Sequence, residues 1–122
     1  MNKFDIFKTL NSLNLDKEKY IVISGASLVV QGIIDETPDV DLATTTEYFN
    51  SINWQSKLGQ FGKEIKYSNN VEISNNLFNE NYELVEINGY KFLNLKDILK
   101  IKKMLNRPKD KEVIKKLEHL LK

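Results

Sequence analysis

The chain has no cysteine and a single histidine, His119, in 122 residues. Without cysteine there is no disulfide framework and no thiolate zinc site, and one histidine cannot build a multi-histidine metal centre. Any bound metal must then be held by carboxylates. That favours a hard ion such as Mg²⁺ or Mn²⁺. Long apolar runs are also missing: no stretch of about 18 apolar residues exists, and the first residues, Met1-Asn2-Lys3-Phe4-Asp5, lack the apolar core of a signal peptide. The expectation is a cytoplasmic protein with no membrane span. Neither charge sign dominates, since 18 Lys and Arg face 17 Asp and Glu. The whole chain therefore has no basic balance of the nucleic-acid-binding kind, although its C-terminal third is rich in lysine. Proline is scarce, with Pro38 and Pro108 the only two, so each is a strong breaker in the pattern.

A chain of this length forms one domain, residues 1–122, and can bury a core without staples. Phe4, Phe7, Leu10 and Leu13 recur at helical spacing and predict a helix over 3–13. The β-branched run Tyr20-Ile21-Val22-Ile23-Ser24 predicts a buried strand. Gly25-Ala26-Ser27 then opens a second apolar stretch, read as a helix through 28–34. After a turn at Pro38, Asp39-Val40-Asp41-Leu42-Ala43 alternates as a strand. Thr45 or Thr46 is placed to cap a helix over 47–58, with Phe49, Ile52 and Trp54 toward the sheet. Strands follow at 63–67 and 71–74, then 82–87 and 90–93 around Asn88-Gly89, a strong hairpin signal. Asn94 reads as the cap of a helix lined by Ile98, Leu99, Ile101, Met104 and Leu105. Pro108 ends it, and Val113 to Leu121 forms a last helix. The fold class is α+β, a mixed sheet with helices packed on it.

The chemistry concentrates in two short stretches. Residues i and i+2 of a strand share a face, so Asp39 and Asp41 project side by side. Two close carboxylates repel unless a cation lies between them. The small-residue turn at Gly25, Ala26 and Ser27 exposes backbone N–H groups at a helix start, an arrangement that suits phosphate. A lone D-x-D is usually a solvated strand end, and a lone small-residue turn is equally weak. The order strand, turn, helix, turn, D-x-D strand is what makes phosphoryl or nucleotidyl transfer the reading.

The segment from Ile23 to Thr45 resembles the signature of the nucleotidyltransferase superfamily, the polymerase-β-like fold. The residues that carry it are Gly25, Ala26 and Ser27, then Asp39 and Asp41. Gly89 to Leu99, Lys102 and Asn106-Arg107-Pro108-Lys109-Asp110 look like the ending of small bacterial members related to abortive-infection toxins and to aminoglycoside and lincosamide adenylyltransferases. The resemblance implies an Mg²⁺- or Mn²⁺-dependent enzyme that moves an NMP from an NTP to a hydroxyl on a small molecule, RNA or protein. It implies Asp39, Asp41 and a third carboxylate as metal and catalytic residues. Glu72 is the candidate for the third, ahead of Glu83 and Glu86; its other reading is a solvated strand residue. Gly25, Ala26 and Ser27 would bind the nucleotide, with Lys102 on its phosphates. Lys102 reads equally well as one of a solvated lysine face with Lys100 and Lys103. Arg107 and Asp110 can pair at their turn, and His119 reads as a surface residue. Ala26 departs from the usual Gly-Gly or Gly-Ser pair and shifts the hydroxyl to Ser27. The alternatives are an inactive binding module on the same fold, or a member of a toxin-like pair with a protein partner.

Overall fold

The computed structural model describes residues 1–52, 57–59, 62–75 and 82–122. The elements in order are α1 (Lys3–Ser12), β1 (Tyr20–Ile23), α2 (Ser24–Val30), β2 (Val40–Thr44), α3 (Thr46–Ile52), β3 (Lys57–Gly59), β4 (Gly62–Ser68), β5 (Val71–Ser74), β6 (Leu84–Ile87), β7 (Tyr90–Leu93), α4 (Leu95–Leu105) and α5 (Lys111–Leu120), with a 3₁₀ turn at Pro108–Asp110 before α5. The strands form one mixed sheet in the order β3-β4-β5-β2-β1-β7-β6. β1 runs antiparallel to β2 and parallel to β7, and β2 runs parallel to β5. This is the expected α+β class. Among the described residues no helix is long and apolar enough to cross a membrane.

Strand alternation divides the interior into two layers. Val22, Leu42, Ile73 and Phe92 face one way and pack with Ile6 and Leu10 of α1, Ala26 and Val29 of α2 and Phe49 of α3. Ile21, Ile23, Ala43 and Leu93 face the other way and pack with Leu28 and Ile33, Ile98 of α4 and Leu117 of α5. Each of the Val, Leu, Ile and Phe side chains among these, when removed from water, contributes about 1.5–3 kcal/mol. The second layer is incomplete in a way that matters for the site. α4 and α5 pack over the β1–β7 side, and the next positions on that face of β2, β5 and β4 are polar.

Several elements end where local chemistry stops them. Asn2 and Asp5 form a reciprocal capping box at the start of α1. Its buried side is Ile6 and Leu10, while Phe4 is 73% exposed, so the predicted stripe was rotated by part of a turn. The second helix starts at Ser24 and stops at Val30, four residues short of the predicted end, because the chain turns at Gln31-Gly32 and Gly32 takes φ 82°. Thr45 caps α3 through the Tyr48 N–H. The helix predicted over 47–58 ends by Ile52, and Lys57–Gly59 is instead a strand paired to β4. Trp54 lies outside the described residues. Asn94 caps α4 by accepting from the Asp97 N–H at 2.9 Å. Met104, predicted to line the buried face of α4, is 72% exposed.

Candidate functional site

β2 and β5 pair in parallel with Asp41 abreast of Glu72 and Ala43 abreast of Ser74. β4 pairs to β5 with Glu64 abreast of Ser74. Paired residues share a face, so Asp41, Glu72 and Glu64 stand on one side of the sheet, beyond the edge of the α4–α5 layer. Asp39 immediately precedes β2, and the Val40 N–H donates to the Asn70 carbonyl at 2.7 Å, which extends the strand pairing to this point. All four carboxylates line one open cleft of about 320 Å³, together with Ser24, Gly25 and Thr37 and with Lys102, Arg107, Lys109 and Asp110; Ser24 also borders a smaller pocket with Lys102 and Arg107.

The electrostatics of this cleft centre on Asp41. Burial pushes its carboxyl up to about 7, and the negative charges of Asp39, Glu72 and Glu64 add to the shift while Arg107 opposes it. Asp41 is therefore a strained charge, of the kind a cation relieves. Glu64 is 7% exposed and belongs to the same wall. The sequence reading does not single it out, although Glu64-Ile65-Lys66-Tyr67 alternates as plainly as Val71-Glu72-Ile73. Alternation reveals a face, and only the β4–β5 register shows that this face is the cleft. Glu83 and Glu86 are removed from the site, since β1 and β7 separate β6 from β2.

The small-residue turn divides between cleft and core. Ser24 and Gly25 line the cleft. Ser24 holds φ 58°, a left-handed conformation that is uncommon for a residue with a Cβ. Gly25 is required by its neighbour: a Cβ there would collide with the Thr37 hydroxyl and lie 3.2 Å from the Thr37 Cβ. Thr37 is anchored in turn by backbone hydrogen bonds, its N–H donating to the Met1 carbonyl at 3.0 Å and its carbonyl accepting from the Met1 amino group at 2.6 Å. Gly25 therefore serves close packing of the turn against the segment that leads into Asp39.

Ala26 and Ser27, expected to bind nucleotide, do not face the cleft. Ala26 is 1% exposed within the α1–α2 core. Ser27 is fully buried; its Oγ donates to the Leu93 carbonyl at 2.8 Å and accepts from Gln31 Nε2 at 2.8 Å. One residue of helix advances about 100°, so a turn that presents Gly25 outward carries the next two side chains inward. Of the two serines at this turn, Ser24 is the one that lines the cleft.

Lys102, also at the cleft, is neither a solvated lysine nor an uncommitted phosphate ligand. It is 6% exposed, and its Nζ donates to Asp110 Oδ1 at 3.0 Å. Arg107 Nε donates to Asp110 Oδ2 at 2.7 Å, the pairing expected at that turn. Burial raises the Asp110 carboxyl, and the hydrogen bonds and charges of Lys102 and Arg107 outweigh it, holding the group below the usual carboxylate range. Lys102 and Arg107 both hold Asp110, and the Arg107 charge also reaches Asp41. His119 is exposed near the end of α5, as expected.

The donor chemistry of the cleft, carboxylate oxygen with no sulfur or imidazole, suits Mg²⁺ or Mn²⁺. The carboxylates line one wall without closing on a point: among the described residues no three His, Cys, Asp or Glu side chains are grouped closely enough to hold one ion. Glu72 is thus placed beside Asp41 but not gathered with Asp39 and Asp41 into a three-carboxylate set. Comparison with protein-family models, with curated proteins and with solved structures returns no match.

Proposed function

We propose that this protein is a metal-dependent nucleotidyltransferase that moves an NMP from an NTP to a hydroxyl acceptor. One observation carries the reading: Asp41 is held half-buried among Asp39, Glu72 and Glu64, in one cleft with Lys102, Arg107 and Lys109. A bare cluster of that kind is unfavourable, and a divalent ion arriving with a polyphosphate turns it into a binding site. Mg²⁺ is commonly held by one or two carboxylates with substrate phosphates and water completing its shell. Asp39 and Asp41 are the residues that would hold it, and the absence of a third grouped carboxylate is compatible with that mode.

When bound, the ion would neutralise phosphate charge as the α-phosphorus is attacked. The chain's own residues supply the rest. Arg107 and Lys109 draw the triphosphate into the cleft, beside the Ser24–Gly25 turn. Glu72 accepts the proton of the acceptor hydroxyl as its oxygen bonds to the α-phosphorus and pyrophosphate departs. The test is incorporation of labelled NMP from each of the four NTPs, with Mg²⁺ or Mn²⁺, into small hydroxyl compounds, total RNA and the protein itself. Signal that disappears in Asp41→Asn supports the reading. Calorimetry that finds no NTP binding in the presence of either ion would overturn it.

A second reading draws on a different observation. Ala26 and Ser27 point into the core, and Lys102 already has a carboxylate partner. A binding module that keeps the cleft without the reaction has those features. It predicts NTP binding with no transfer to any acceptor.

A further inference from the structure

The near-zero net charge of the chain conceals a strong segregation. Residues 95–122 hold ten Lys and Arg against four Asp and Glu, whereas residues 1–94 hold eight against thirteen. The C-terminal helical pair is therefore a +6 unit docked on a −5 body. On α4, Lys96, Lys100 and Lys103 are all exposed. Their spacing of four and three residues places them on one helix face. They border one open groove, together with Glu83 and Asp97. On α5, Lys111, Lys115 and Glu118 follow the same spacing and are also exposed. Lys103 Nζ lies 2.7 Å from Glu118 Oε2. That contact joins the two stripes edge to edge, so they form one surface rather than two. Lys109, exposed on the turn between the helices, also lines the cleft. The basic surface thus runs from the outer face of α4 and α5 to the lip of the acidic cleft.

We infer that this surface docks the phosphate backbone of an RNA and so presents an RNA hydroxyl to the cleft. The assignment of RNA as acceptor rests on the transferase reading above; the docking itself does not. Lysines four apart on a helix stand about 6 Å apart along its axis, close to the spacing of phosphates along an extended strand. Leu117 of α5 is turned inward, while Met104, Leu120 and Leu121 are exposed singly rather than as an apolar stripe between the lysines, which favours a phosphate backbone over a lipid bilayer as the partner. RNA is favoured over DNA because a transferase needs a hydroxyl. RNA offers one at every sugar, while DNA offers them only at strand ends.

The experiment is fluorescence anisotropy of a labelled single-stranded 20-nucleotide RNA, without NTP or divalent ion, across a KCl series. Wild-type protein should bind with a steep salt dependence. The triple variant Lys100→Glu, Lys111→Glu and Lys115→Glu should bind at least about tenfold more weakly at 0.1 M salt, with a salt slope smaller by roughly 2, since each lost contact removes about 0.7 on single strands. A charge-matched control, Lys3→Glu, Lys8→Glu and Lys19→Glu, alters exposed lysines of the N-terminal part and should bind as wild type. All six side chains are exposed, so circular dichroism should show both triples folded. No RNA binding by the wild type, or equal weakening in both triples, would overturn the inference. NMP transfer to DNA of the same sequence as readily as to the RNA would overturn the choice of RNA, since lysine contacts read phosphates and not sugars. Binding to phosphatidylserine vesicles in place of RNA would replace it with a lipid surface. RNA binding without NMP transfer supports the docking and counts against the transferase; transfer to a small acceptor without RNA binding does the reverse.

Discussion

Removing the charge of Asp41 should stabilise the protein increasingly above about pH 4, and in full at neutral and alkaline pH. In the folded state its carboxyl is raised from 3.8 to about 7 by burial and by Asp39, Glu72 and Glu64. Between those values the unfolded chain has lost the proton while the folded chain still holds it. The unfolded state then binds fewer protons, so stability falls as pH rises from about 4 to about 7 and levels off above. At about 1.4 kcal/mol per unit the full cost is roughly 4 kcal/mol. Asp41 is only half-buried and its surroundings can relax, so about 2–4 kcal/mol is the expected range. Asp41→Asn removes the ionisation and keeps the shape. Its melting temperature should exceed the wild type's by on the order of 10 °C at pH 8, and the two should nearly coincide at pH 4. Mg²⁺ at pH 8 should raise the wild-type melting temperature and leave that of the variant nearly unchanged, because a ligand stabilises only the state that binds it. Thermal melts by circular dichroism at the two pH values, with and without Mg²⁺, are the assay. A variant that is less stable than wild type at pH 8, or offset equally at both pH values, would refute the claim that Asp41 carries an unfavourable charge.

Asp110 should behave in the opposite sense. Its carboxylate is held below the ordinary range and faces buried Lys102, so its contribution is present above about pH 4 and is lost as pH falls through the folded value. Asp110→Asn should cost roughly 3–5 kcal/mol in urea unfolding at pH 7, because Lys102 keeps its charge without a carboxylate; a cost below about 1 kcal/mol would mean that water reaches Lys102. Gly25→Ala should destabilise by about 1–3 kcal/mol through overlap with Thr37, and the loss should shrink in a Thr37→Ala background. Additive losses in that double-mutant cycle would place the clash elsewhere. Ser27→Ala should cost about 1 kcal/mol, because the Leu93 carbonyl keeps its bond from Gln31 Nε2 at 2.9 Å. It should leave NTP affinity in calorimetry unchanged, and a marked loss of affinity would show that Ser27 reaches the nucleotide.

What could be read in the sequence followed the range over which each signal acts. The Asp39–Asp41 strand, the 90–93 hairpin strand and the caps at Thr45 and Asn94 depend on a few neighbouring residues, and the structure has them where the local pattern put them. Glu64 depends on the pairing of β4 to β5, which no local pattern specifies. The extent of α3 failed for the related reason that isolated apolar residues such as Ile52 and Leu58 in a polar stretch fit either period until strand pairing decides it. Lys102 is the instructive case, because its position was legible and was read too coarsely. Ile98, Lys102 and Leu105 recur at spacings of four and three, so Lys102 falls on the apolar face of α4, while Lys96, Lys100 and Lys103 share the other. A lysine on a buried face requires a carboxylate within reach. Asp110, just beyond the Pro108 break, lies where the chain folds back toward that face. Helical phase alone thus separates one lysine that builds the cleft wall from three that build the outer basic surface, although all four belong to the same lysine-rich stretch.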